Sequence, residues 1–216
     1  MVPVEGARRG RPCVGMLALR VATLIAVPAV GADAAAAPGP SFDCRKVPAG
    51  SIAEQVCADP ALVQRDRKLT EVYAAARKVA ARMKPPPPLV AEQRGWVKGR
   101  DDCWKATDRR ACIDDAYRRR TAELQARYHL LPTQGPVRLV CDGDPRSEVG
   151  VSRFATDPPS LMAERGDETS WLLQQPELVA GATRFVGRNE TIDEQGGTMT
   201  VVWGYQARPM ACKPAP

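Results

Sequence analysis

The cysteines constrain this chain more than any other feature. Seven occur in 216 residues. Cys13 lies near the N-terminus, and Cys44, Cys57, Cys103 and Cys112 fall in a charged half with helical patterning. Cys141 and Cys212 bracket a half whose apolar residues alternate. Without Cys13 the set is even, and six cysteines in so short a chain fit three disulfides formed in an oxidising compartment. No C-x-x-C spacing occurs, which argues against zinc, and no other metal or cofactor is expected.

The N-terminus agrees with that compartment. Arg8, Arg9, Arg11 and Arg20 precede the apolar run from Val21 to Val27, and small residues follow from Ala29 to Ala34. A positive region, a short apolar core and a small-residue cleavage zone make residues 1–36 a signal peptide. The run is too short for a permanent membrane span. Met1 and Met16 are both open as the start, and the later one leaves Cys13 untranslated. Neither Cys13 nor Cys44 sits at a lipoprotein cleavage point, so the expected product is periplasmic or secreted and soluble.

Residues 41–131 read as helical. Ser51 and Glu54 have capping-box spacing before a short turn carrying Val56 and Cys57. Asp59 then caps, and Pro60 opens, a long helix with Leu62, Leu69, Val72, Tyr73, Ala76, Val79, Ala80 and Met83 on its apolar stripe. Pro85 to Pro88 ends it. A second helix from Leu89 to Lys105 carries Gln93, Trp96, Val97, Arg100 and Trp104 at three- and four-residue steps, with the two tryptophans as anchors. Thr107 or Asp108 caps a third, with Cys112, Ile113, Ala116, Tyr117, Leu124 and Tyr128 inward. One of Arg118, Arg119 and Arg120 is expected at the core edge. Four cysteines allow three pairings. If the two helices flanking the prolines form an antiparallel pair, Cys57 meets Cys103 and Cys44 meets Cys112, a nested arrangement.

Beyond Pro132 the period becomes two. Val137, Leu139 and Cys141 alternate with polar or opposite-facing residues, as do Val149 and Val151 before Phe154. Further runs at 160–164, 170–173, 182–186, 190–193 and 198–203 are separated by glycine, aspartate and proline. That is a small antiparallel sheet or barrel whose ends Cys141 and Cys212 would tie together. The fold class is therefore α+β, a disulfide-linked module of about three helices followed by a β-barrel.

Two resemblances follow. Cys44, Glu54-Gln-Val-Cys57, Asp66, Leu69, Tyr73, Gln93-Arg-Gly-Trp96, Arg100-Asp-Asp-Cys103 and Cys112-Ile-Asp-Asp-Ala-Tyr117 resemble the N-terminal domain family of LprI-type lysozyme inhibitors. The resemblance covers residues 41–128 and implies a short exported helical module. Cys141-Asp-Gly143, Gly181-Ala-Thr-Arg-Phe185, Trp203-Gly204 and Cys212 resemble the C-type lysozyme inhibitor (MliC-like) family over residues 137–213. That second resemblance implies an eight-stranded antiparallel barrel. It also implies a target-binding set at Ala180, Gly181, Ala182, Thr183, Arg184, Phe185, Trp203 and Gly204. Three of these depart from the family: Ala180 replaces serine, Phe185 tyrosine and Trp203 lysine. Serine and lysine can hydrogen-bond the acid/base carboxylates of a glycosidase, and alanine and tryptophan do not. Arg184, or the Arg188-Asn-Glu190 stretch, is left as a substitute cation.

Charge and chemistry narrow the function. Residues 41–131 hold 19 basic and 12 acidic side chains, net +7, and residues 132–216 hold 8 and 11, net −3. Acids interspersed with the arginines, together with export, argue against nucleic acid. The pairs Asp101-Asp102 and Asp114-Asp115 are sequence neighbours, whose side chains diverge by about 100° on a helix. With a single histidine, His129, and no nucleophile–base set, the chain is not expected to be an enzyme. The expected role is an exported binder that blocks a muramidase by occupying its active-site cleft, with a c-type lysozyme or related muramidase as the expected protein partner and the cell wall as a further contact; the alternative is a structural module that contacts peptidoglycan or another envelope component without inhibiting an enzyme.

Overall fold

The structure, a computed structural model, describes residues 39–176 and 181–215; the expected signal peptide, Cys13 and Ala180 lie outside them. Its first half has four helices, α1 (Ile52–Ala58), α2 (Pro60–Ala80), α3 (Leu89–Asp101) and α4 (Arg109–Arg127). Short 3-10 turns at Cys44–Lys46 and Asp102–Lys105 precede α1 and extend α3. The caps are side-chain hydrogen bonds. Ser51 Oγ accepts from Glu54 N at 3.1 Å, while Glu54 reaches back to Gly50 N at 2.6 Å, one residue before the serine. Asp59 accepts from Ala61 N and Leu62 N, and Asp108 from Ala111 N, which satisfies amides that have no partner within the first turn.

Three disulfides are present. Cys44–Cys57 and Cys103–Cys112 are sequential neighbours, with Cα–Cα distances of 5.9 and 5.7 Å, which corrects the nested pairing. The cause is helix packing. α2 packs chiefly on α4, and α3 lies on α4 and α1, so the helices flanking the prolines are not the antiparallel pair that nesting required. Each bridge therefore pins a local corner, one where the chain enters α1 and one where it turns into α4. Trp104 is corrected as well. It is 58% exposed, because Cys103 points inward and a 3-10 turn rotates the next residue by about 120°. Met83 lies beyond the end of α2 and is also exposed. The helical core gathers Ile52, Val56, Leu62, Leu69, Val72, Ile113, Tyr117 and Leu124.

The second half is a closed barrel of eight antiparallel strands in sequence order. They are β1 (Thr133–Cys141), β2 (Asp144–Phe154), β3 (Ser160–Arg165), β4 (Glu168–Gln174), β5 (Ala182–Val186), β6 (Glu190–Gln195), β7 (Thr198–Trp203) and β8 (Met210–Pro214). The sequence pattern missed β8, whose only buried residue is Cys212 and which therefore shows no apolar alternation. Cys141 and Cys212 are register partners on β1 and β8, and their disulfide joins the seam. Leu139, Val149, Val151, Leu161, Leu172, Ile192 and Val201 fill the interior.

β1 starts four residues before the alternating run and carries an irregularity between Gln134 and Val137. Gly135 sits there at φ +113°, and a Cβ would lie 2.6 Å from Val151 O and 2.9 Å from Val137 N. Both obstacles are backbone. Gly135→Ala should therefore cost about 1–3 kcal/mol, from positive φ and from the displaced neighbouring strand. Urea denaturation of the two proteins measures it, and an unchanged midpoint would refute the assignment of this bulge.

α4 lies against β3 and β4, and polar contacts add to that packing. Asp157, in the β2–β3 turn, accepts from Arg118 of α4 at 2.5 and 3.2 Å, with Arg65 of α2 at 3.8 Å. The Arg118 guanidinium holds the Asp157 carboxyl below its usual range. His129, just past α4, meets Phe154 edge-on at 5.4 Å.

Candidate functional site

The helical residues singled out in the sequence converge on Tyr117. Its hydroxyl donates to Asp66 Oδ1 at 3.0 Å and accepts from Arg100 Nη1 at 2.8 Å. Asp66 Oδ2 accepts from Ser41 N at 2.6 Å, and Arg100 also donates to Asp101. Trp96 stands edge-on to Tyr117 at 5.3 Å, hydrogen-bonds Ala116 O, and lies under the Arg100 guanidinium at 5.7 Å. Burial, with the Asp66 carboxylate, pushes the Tyr117 phenol well up, against the opposing pull of Arg100. Gln93 accepts from Arg120 Nε at 3.0 Å, so Arg120 is the member of the arginine triplet that is buried. Tyr73 is half-buried against the helical core. Asp66, Arg100 and Tyr117 are enclosed, so this cluster orients helices rather than meeting a ligand.

The barrel residues implied by the second resemblance do not form one patch. Ala182 pairs with Gln195, which pairs with Thr198, at one end of the barrel. Trp203 pairs with Glu190 at the other. The length of β6 separates these ends, about 16 Å at the usual rise per strand residue. Gly181, Ala182, Thr183 and Arg184 lie along the first edge, with Gly181 at φ +76°. Arg184 is exposed and held by a two-pronged pair with Asp193 at 2.6 and 2.8 Å, which raises its pKa. Phe185 is only 5% exposed and belongs to the barrel core. Trp203 is 8% exposed, and its indole donates to Glu168 at 2.6 Å; Gly204 follows at φ +102°. Phe185 and Trp203 therefore belong to the barrel interior, and the accessible edge is formed by the residues from Gly181 to Arg184.

Phe185 also lines a cavity of about 420 Å³ at the same end, together with Leu131, Phe154, Pro159, Ser160 and Arg153. Arg153 crosses the barrel to pair with Glu194 of β6 and lies over the Phe185 ring. The sequence reading missed this pair. The signal was present: Arg153 continues the inward positions of Val149 and Val151. The wall near this mouth is completed by Ser160, whose hydroxyl shares a hydrogen bond with Thr156 at 2.8 Å. Barrel mouths are common ligand sites, and this one is largely apolar. At the opposite end Tyr205 projects, 79% exposed.

Residues 44–124 match the family described as Lysozyme inhibitor LprI. Similar curated proteins include those described as Lipoprotein LprI from Mycobacterium bovis and from two strains of Mycobacterium tuberculosis, each 37% identical over 89 residues. The aligned stretch is 40% of this chain and 41% of each relative, so the chain spans about two fifths of the length of the curated relatives it matches. No solved structure matches. Among the described residues, no helix is long and apolar enough to cross a membrane.

Proposed function

We propose that the chain is an exported, lysozyme-inhibitor-like binding protein that blocks a muramidase by occupying its active-site cleft. The observation that carries this reading is the match of residues 44–124 to the lysozyme-inhibitor family. Three disulfides suit an oxidising compartment, in keeping with export. The barrel, net −3 over residues 132–216, has the sign that favours encounter with a basic c-type lysozyme. In this proposal the contact runs along Ala180 to Arg184, with Phe185 and Trp203 supporting from within the barrel. The edge offers backbone and one cation to the cleft, and Arg184 must exchange Asp193 for the target's carboxylates.

Cell-wall turbidity in the presence of c-, g- and i-type lysozymes tests the proposal. Lysis should slow when the chain is in excess over at least one of them. Ala182→Arg, which sets a cation against a basic target, should weaken that inhibition about tenfold. Unchanged lysis at large excess would end the inhibition claim. Inhibition that persists in full with Ala182→Arg would remove the contact from this edge. A second reading, an envelope or peptidoglycan module without inhibition, is favoured by the net +7 of residues 41–131. Co-sedimentation with purified cell wall and no effect on lysis would select it.

A further inference from the structure

Among the described residues six large apolar side chains stand exposed, and four of them recur at intervals of seven: Met83, Val90, Val97 and Trp104, at 44, 51, 36 and 58% exposure. Seven residues fall about 20° short of two helical turns, so Val90 and Val97 share one side of α3. The neighbouring flank, about 60–100° round the helix, buries Leu89 and Arg100.

The stripe is bordered by cations. Arg94 and Lys98, on α3, and Lys105, in the turn that follows it, are exposed. Of these only Lys105 has an acidic partner among the described residues, Asp102 at 2.7 Å, and its ammonium lies 5.4 Å from the Trp104 ring. Glu92 is turned the other way, towards Arg127. We propose that this face of α3 docks on an anionic lipid surface, with Val90, Val97 and Trp104 entering the headgroup boundary and the cations meeting lipid phosphates. Apolar residues with a tryptophan on a helix rich in lysine and arginine suit that interface, because long cationic side chains can bury their stems and keep their charges at the headgroups.

Charge decides against the other occupants. A second copy of the chain would set Arg94 and Lys98 against their own equivalents. A paired seam would also need apolar residues three or four positions after Val90 and Val97, where Gln93, Arg94, Arg100 and Asp101 stand. A basic muramidase would be repelled. The inference is independent of the muramidase reading: slowed lysis by a chain that ignores vesicles would leave that reading intact and sink this one.

The test uses the disulfide-bonded chain, recovered from an oxidising expression compartment, and two vesicle preparations: phosphatidylcholine alone, and phosphatidylcholine mixed with phosphatidylglycerol. Every variant is prepared in the same way, so any contribution from residues before Gly39 is common to all. The parent should co-sediment with the anionic vesicles and be released by high salt. Replacing both Val97→Ser and Trp104→Ser should lower the partition at least about tenfold. Arg94→Glu with Lys98→Glu should lower it about fivefold or more for each cation lost. All four side chains are exposed, so circular dichroism and the thermal midpoint should not move. Quenching of tryptophan fluorescence by brominated acyl chains should fall with Trp104→Phe. Equal binding to both vesicles, or binding indifferent to the Val97 and Trp104 substitutions, overturns the proposal. So does a dimer in sedimentation velocity that dissolves in the same variants without any vesicle binding.

Discussion

Replacing Cys141 and Cys212 together by alanine is expected to cost about 4 kcal/mol, because the bridge closes a loop of 71 residues in the unfolded chain. The same reasoning gives about 3 kcal/mol for Cys44–Cys57 and slightly less for Cys103–Cys112, whose separations are only 13 and 9. The barrel adds a second reason for the ranking. Cys141 and Cys212 sit on the short seam between β1 and β8, which pairs Leu139 with Pro214, Val140 with Lys213 and the two cysteines with each other. If that seam opens, two strands expose unpaired backbone groups and become templates for aggregation. Equilibrium denaturation of the three double-alanine variants measures the order. A Cys141–Cys212 loss no larger than those of the local bridges would show that loop closure does not set their contributions. Proteolysis and mass spectrometry of the unreduced chain should recover Cys44 with Cys57, and Cys103 with Cys112.

These bridges also show where sequence was informative. Local chemistry was legible: Ser51, Asp59 and Asp108 cap helices because their side-chain oxygens reach amides two or three residues ahead, a property of short range. Strand positions were legible wherever alternate residues face a core, as at Val149 and Val151. The nested pairing failed because it needed to know which helices are neighbours, and no local spacing says that α2 packs on α4. β8 was missed because a strand with one buried residue carries no period. The strand that carries the proposed target edge was legible as the run from Ala182 to Val186. Its division from Trp203 was not, because the register that places them at opposite barrel ends arises only when β5, β6 and β7 pair. The stripe on α3 was in plain view in the spacing of Val90, Val97 and Trp104.

Arg100→Met is expected to destabilise the helical module by about 3 kcal/mol, with a shape close to that of the arginine stem but no charge. Asp66 and Arg100 are each 6% exposed and communicate through the Tyr117 hydroxyl. Without Arg100 the Asp66 carboxylate keeps the hydrogen bonds from Tyr117 and Ser41 N but loses the enclosed cation nearby, and an uncompensated buried charge is costly. Trp96 and Tyr117 also lose the guanidinium over their rings. Tyr117→Phe removes only the bridging hydroxyl and should cost about 1–3 kcal/mol, since it strands one oxygen of Asp66 and one donor of Arg100. The two substitutions act on one connected set, so the double variant should lose less than the sum of the singles. Denaturant midpoints of the four proteins complete the cycle. Strict additivity would mean that Arg100 and Tyr117 do not act through Asp66. The packing of α2, α3 and α4 would then have to be ascribed to the apolar core around Leu62, Ile113 and Leu124 alone.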